Sequence, residues 1–168
     1  TTGSGKTTLA KEIAWRYKKN GRKVLVMDIY TREEGWPEKP EDNIKRFTET
    51  VMSKEHNCAV FIDECSVTIG RYPDPEVLSL ATMSRHRGHI MHFICQRTAQ
   101  ISPTVVEQCP VGYLFFGSSK EGKLMSEHYA QKDLRHLIPE LYTYEFYAAS
   151  CVNIRGTKRL KKYRIIPK

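Results

Sequence analysis

Acidic residues are missing from the C-terminal end. Residues 146–168 contain no Asp or Glu but seven basic residues, Arg155, Lys158, Arg159, Lys161, Lys162, Arg164 and Lys168. The whole chain carries +8, so the remaining 145 residues carry only about +1. No apolar run approaches twenty residues, which excludes a transmembrane helix, and no charged–apolar–small leader is visible. Five cysteines (58, 65, 95, 109, 151) form no C-x-x-C pair, so a zinc site or a disulfide framework is not expected. Reduced, mostly buried thiols are expected instead. There is no internal repeat and no low-complexity tract. At 168 residues the chain is expected to form one domain with a real core.

What is present begins at once. Thr1-Thr2-Gly3-Ser4-Gly5-Lys6-Thr7-Thr8 matches the end of G-x-x-x-x-G-K-[ST], the phosphate-binding loop. The opening glycine of that pattern is expected one residue before Thr1. Small residues let the backbone curl around a polyphosphate, so that N–H groups and a helix N-terminus face its oxygens. Residues Thr2 to Thr8 are therefore the expected ATP contacts. Lys6 would reach the β- and γ-phosphates, and the Thr7 hydroxyl would bind Mg²⁺.

The periodicity after the loop predicts a helix over 7–20, with Leu9, Ile13 and Tyr17 on one stripe. A buried strand is predicted over 23–28, ending on Asp28, then a loop over 31–41. A helix follows from an Asp42 cap to about His56, with Ile44, Phe47 and Val51 inward. Cys58-Ala59-Val60-Phe61-Ile62-Asp63-Glu64 reads as a buried strand delivering two carboxylates to its C-terminal end, the edge where open α/β sheets bind ligands. Asp63 is the expected Mg²⁺ partner, acting through water, and Glu64 the expected base for water attack on the γ-phosphate.

Asp74-Pro75-Glu76 starts a helix running to about His86, with Val77, Leu78, Ala81 and Met83 as its inner face. It empties into Arg85-His86-Arg87-Gly88-His89. Strands are expected over 90–95 and 111–116, with a short helix from Ser102-Pro103 between them. Residues 118–140 read as loop and short helix. Two further strands, 144–152 and 163–166, flank a basic segment over 153–162. His86, His89 and His92 read as surface or strand residues rather than metal ligands. Alternating helices and non-alternating strands imply a mainly parallel sheet covered on both faces. A further strand is expected ahead of the phosphate loop, since the motif is strand–loop–helix.

The Gly-Ser-Gly-Lys-Thr loop, the strand ending Asp63-Glu64, Arg85-His86-Arg87-Gly88 and the strand ending Gln96-Arg97 together resemble the FtsK–HerA superfamily of DNA motors. That group includes viral and phage genome-packaging ATPases, which the chain resembles most. Thr98 replaces a proline often found after Gln-Arg, and the Leu-Tyr-Thr-Tyr-Glu-Phe run at 141–146 is similar to the family's C-terminal end. The resemblance implies an ASCE/RecA-like three-layer sandwich, here with an added basic β-hairpin at 144–168. It implies Gln96 as a γ-phosphate sensor and Arg85 or Arg87 as a finger reaching a neighbouring subunit's nucleotide. It also implies a pentameric or hexameric ring, double-stranded DNA as partner and portal or vertex proteins of a capsid as further partners. The expected location is the host cytoplasm or a virion vertex. Arg155, Lys158, Arg159, Lys161 and Lys162 are the expected DNA contacts, because a sequence-blind motor grips phosphates, with a solvated hairpin or a protein-docking patch as the competing reading.

Two other readings compete. A nucleoside kinase would use the same loop, with Asp28 holding the acceptor, but no arginine-rich lid follows. A non-catalytic nucleic-acid-binding module would explain the tail and leave Glu64 without a task. Within the resemblance itself, a DNA translocase of conjugation or repair is the alternative to a packaging motor.

Overall fold

The computed structural model describes residues 3–30, 34–151 and 160–166. They fall into two compact units, one of Thr7–Val106 and one joining the chain up to Lys6 with the residues from Glu107 onward.

In the Thr7–Val106 unit three strands, β1 (Val24–Met27), β2 (Ala59–Ile62) and β3 (Ile90–Phe93), form a parallel sheet in the order β1-β2-β3. β2 is central and all four of its residues are buried, as its unbroken apolar run requires. Strand alternation sends the side chains to two cores. Val24, Val26, Ala59 and Phe61 pack with Ala10 and Ala14 of α1 (Lys6–Lys19) and with Trp36. Val60, Ile62 and Met27 pack on the other face against Phe47, Val51, Leu80 and Val105. Complete burial of Phe61 and Ile62 contributes roughly 1.5–3 kcal/mol each.

The helix expected from an Asp42 cap to about His56 is interrupted. Asn43, not Asp42, caps α2 (Ile44–Glu49), its side chain accepting the Arg46 N–H. Thr50–Lys54 then continues as a π-helix in which the Glu55 amide donates to the Thr50 carbonyl. The wider turn keeps Val51 fully buried while its own carbonyl and those of Ser53 and Glu55 accept from outside the helix (below). Likewise α4 (Pro75–Thr82) stops before His86, and Ser84–Arg87 forms a 3₁₀ turn. Leu80 is inward and Met83 is 54% exposed. The expected Met83 contact fails because the helix ends at Thr82 and loses its phase. The short helices α3 (Cys65–Thr68) and α5 (Pro103–Glu107) complete the order up to residue 107.

The residues from 107 onward build a second, antiparallel sheet, β4-β5-β6, from β4 (Val111–Phe115), β5 (Glu145–Ser150) and β6 (Leu160–Arg164). The strand expected over 111–116 is therefore present but pairs with β5, antiparallel. The last strand lies at 160–164 rather than 163–166, so Lys161 and Lys162 are strand residues and not part of a loop. Phe115, Phe146 and Tyr163 align in one row across the three strands and stack, with centroids 5.2 and 5.4 Å apart. Residues 118–140 are mostly helical, in α6 (Ser119–His128), capped by Ser118, and α7 (Leu134–Leu137).

Candidate active site

The phosphate loop has the backbone its sequence demands. Gly3 and Gly5 have φ of 84° and 100°, where a side chain would be strained. At Gly5 a Cβ would also meet the ring of Tyr144, with Ile165 and Phe115 close behind. The Tyr144 amide donates to the Ser4 carbonyl at 3.1 Å, and the Ile165 amide donates to the Tyr144 carbonyl at 2.8 Å. Tyr144 itself has a φ of 65°, a left-handed conformation costing about 1–2 kcal/mol. The 141–146 run thus backs the loop from behind. Lys6 Nζ donates to Ser4 Oγ at 2.7 Å, which folds the lysine over the loop. Thr8 is exposed, and Thr2 lies outside the described residues.

Thr7, one residue on in α1, belongs to a chain of contacts in the other unit. Its hydroxyl donates to Asp63 Oδ2 at 3.1 Å. Asp63 is 3% exposed, and its Oδ1 accepts the Glu64 amide at 2.8 Å. Burial pushes the Asp63 carboxyl above the usual range, the negative charges of Asp28 and Glu64 add to this, and the Glu64 amide and Thr7 hydroxyl oppose it.

Glu64 turns the chain out of β2 in a left-handed conformation, φ 49°, ψ 47°. The turn is held from several sides. The Thr68 hydroxyl bonds the Asp63 and Glu64 carbonyls at 2.8 Å, and the Cys65 amide donates to the Ile94 carbonyl at 2.9 Å. Gln96, just past β3, donates through Nε2 to both Glu64 carboxylate oxygens at 3.3 Å. Gln96 and Glu64, 32 residues apart in sequence, therefore share hydrogen bonds.

Asp28 joins this group. It follows β1 as Asp63 follows β2, and the register pairs Met27 with Ile62 just before them. Its Oδ1 accepts the Tyr30 amide at 3.0 Å, while Oδ2 is buried with no donor among the described residues. That β1 ends on a carboxylate was visible in sequence, but the placement of Asp28 beside Asp63 was not.

The arginine turn separates its two candidates. Arg85 is exposed. Arg87 donates to the Glu55 and Ser53 carbonyls at 3.1 Å and to His56 Nε2 at 2.7 Å. Ser53 lies in the π-helix and Glu55 caps it, so Arg87 ties the turn to the end of that helix. The expectation that His89 lies at the surface or is a plain strand residue is corrected. It is 6% exposed, its Nδ1 accepts the Cys58 amide at 3.1 Å, and its Nε2 bonds the Val51 carbonyl at 2.9 Å. This fixes a neutral ring with the proton on Nε2. His92 stacks on Phe61 at 4.4 Å, and burial holds it down to about 4. Among the described residues no His, Cys, Asp and Glu group forms a metal cage.

Of the expected DNA contacts, Arg155, Lys158 and Arg159 lie outside the described residues. Lys162 pairs with Glu145 at 2.8 Å, and Lys161 sits 5.0 Å from the Tyr163 ring centroid. The two point to opposite faces of β6, so they cannot project together as a basic loop.

A phosphate loop and a strand-end acid pair in an α/β fold define a P-loop ATPase. The description "ATPase family associated with various cellular activities (AAA)" matches residues 1–98, and the chain belongs to this family. Its fold is similar to solved structures of the genome packaging NTPase B204 from Sulfolobus turreted icosahedral virus 2. The complex with AMPPCP has a TM-score of 0.78 at 15% identity, covering 98% of this chain and 94% of that one. The complex with sulfate has 0.79 at 16% identity, covering 100% and 94%. B204, the DNA-packaging ATPase from Sulfolobus turreted icosahedral virus, has 0.76 at 17% identity, covering 98% and 94%. No curated protein matches by sequence. No described helix is long and apolar enough to cross a membrane.

Proposed function

We propose that this ATPase is the motor of a double-stranded DNA translocase that packages a viral genome into a preformed capsid. The observation that carries the chemistry is the hydrogen-bonded series Thr7–Asp63 and Glu64–Gln96 at neighbouring strand ends. Fold likeness to B204 supports the packaging role, and the acid-free basic tail suits a polyanionic partner. One P-loop ATPase domain spanning 1–168 would carry all of it.

The donor set fits Mg²⁺, a hard cation that takes oxygen ligands. A threonine hydroxyl meets a buried carboxylate there, and a second carboxylate oxygen lacks a donor. Thr7 would hold the ion directly and Asp63 through water. When bound, Mg²⁺ offsets charge on the phosphate oxygens. Gly3 to Thr8 bind the phosphates, with Lys6 on the β- and γ-oxygens. Glu64 takes the proton of the attacking water as the new P–O bond forms, and ADP departs. Gln96 donates to both Glu64 oxygens. A γ-phosphate that draws the amide away would free the base, coupling hydrolysis to a correctly seated substrate.

Arg85 is the finger that acts in trans, since Arg87 spends its donors within its own subunit. A ring of five or six copies follows, set at a capsid vertex in the host cytoplasm. ATP hydrolysis measured with and without double-stranded DNA tests the reading, against phosphate transfer to a nucleoside. DNA-stimulated phosphate release supports it, and transfer to the nucleoside would replace it with a kinase.

A further inference from the structure

Asp28 carries a buried carboxyl oxygen that no donor meets among the described residues. Asp28 is 1% exposed. Its backbone is pinned from one side, the amide donating to the Glu41 carbonyl at 3.0 Å. On the other side the Asp63 amide donates to the Met27 carbonyl at 2.9 Å. The side chain therefore has little freedom to leave. Oδ1 accepts the Tyr30 amide at 3.0 Å, and Oδ2 has no donor among the described residues. Removing a carboxylate oxygen from water without a partner is costly. A second buried carboxylate beside it, Asp63, raises the cost further.

A fold keeps such an arrangement where something positive or protic completes it. A hydrophobic stack would not serve, because the neighbouring group is a carboxylate and the Thr7 hydroxyl is already given to Asp63. The register places the two acids side by side at the carboxyl ends of β1 and β2, one oxygen of each facing the need for a donor when Thr7 turns to a cation. Waters of a hydrated Mg²⁺ are donors of the right kind, since this ion keeps several waters when bound by one or two carboxylates.

We propose that Asp28 Oδ2 is a second carboxylate acceptor for the hydration shell of the nucleotide-bound Mg²⁺, sharing with Asp63 the task of orienting its waters. It is a positioning residue, and it rests on the nucleotide-site reading above. It also explains why β1 ends on an acid although no acceptor substrate is required.

The test is Mn²⁺ titration by electron paramagnetic resonance of protein carrying a non-hydrolysable ATP analogue. Asp28→Asn keeps Oδ1 for the Tyr30 amide and removes the charge. Asp28→Ser, which also keeps an acceptor, is run beside it. Mn²⁺ affinity should fall about 10–100-fold in both, while analogue binding in EDTA stays within about twofold. In EDTA the Asn protein should melt no lower than wild type, because Oδ2 has no donor to lose. Wild-type Mn²⁺ affinity in both variants would overturn the proposal alone. So would marked destabilisation of both in EDTA, since that would give Oδ2 a structural partner. If the wild-type protein binds the analogue no better with Mn²⁺ than with EDTA, the nucleotide-site reading falls and this one falls with it.

Discussion

The central strand of one sheet and the last strand of the other carry their charges in opposite ways. β2 is buried at every residue and ends in Asp63 and Glu64, whose oxygens are engaged by Thr7, Gln96 and the Glu64 amide. β6 is exposed at four of five residues, and its Lys162 meets Glu145 with 45% of the lysine side chain exposed. Charge at the end of the buried strand is held by several hydrogen bonds. Charge along an exposed strand is screened by water and worth little to stability. The first arrangement fixes its carboxylates in place, and the second leaves its amines free to exchange partners with solvent.

The largest effects should fall at the buried strand end. Glu64→Gln should retain ATP analogue binding and lose turnover by at least about 10²-fold, whereas Lys6→Ala should lose binding as well. Steady-state phosphate release paired with equilibrium binding reads both, and full hydrolysis by the Gln protein would remove Glu64 as the base. Next comes the arginine turn. Arg85→Ala should slow hydrolysis by about 10³-fold with an unchanged melting temperature. Arg87→Ala should instead lower the melting temperature, because it leaves the Ser53 and Glu55 carbonyls without the Arg87 donors. Mixing Arg85→Ala with Glu64→Gln subunits should restore some sites if the finger works across subunits. No recovery would place Arg85 in cis.

A pH effect sharpens the comparison from the core side. His92 is held down to about 4 by burial, below its ordinary 6.5. Between those values the unfolded chain binds a proton that the folded one refuses. Stability is thus fully present above about 6.5 and declines as pH falls toward 4, by at most on the order of 3 kcal/mol. Denaturant titrations of His92→Phe should show a flatter acid limb, and an unchanged limb would mean another group controls it.

The smallest effect is expected at β6. Lys161→Ser should flatten the salt dependence of DNA binding by about 0.9 log unit if it meets one phosphate. Lys162→Ser should change it less, because that amine is shared with Glu145. Fluorescence anisotropy across a salt series compares the two. Equal and zero changes would assign this strand to a protein partner.

The chemistry of the loop was readable in sequence because it depends on residues adjacent in the chain. Gly5, Lys6 and Thr7 must be consecutive to wrap a phosphate, and an apolar run ending Asp63-Glu64 must be a buried strand with acids at its mouth. Helix–strand alternation over residues 7–95 was legible for the same reason, since one buried face recurs at fixed spacing. Groups brought together across long separations were not legible. Whether Arg85 or Arg87 was already occupied depended on the Glu55 and Ser53 carbonyls, 32 and 34 residues earlier. The burial of His89 depended on the same turn. Strand alternation cannot say which sheet a strand joins, so only tertiary pairing put β4 beside β5 and Tyr144 behind Gly5. Parallel register likewise set Asp28 beside Asp63, because pairing is decided by which apolar faces can be buried together, a property of the folded sheet and not of either strand alone.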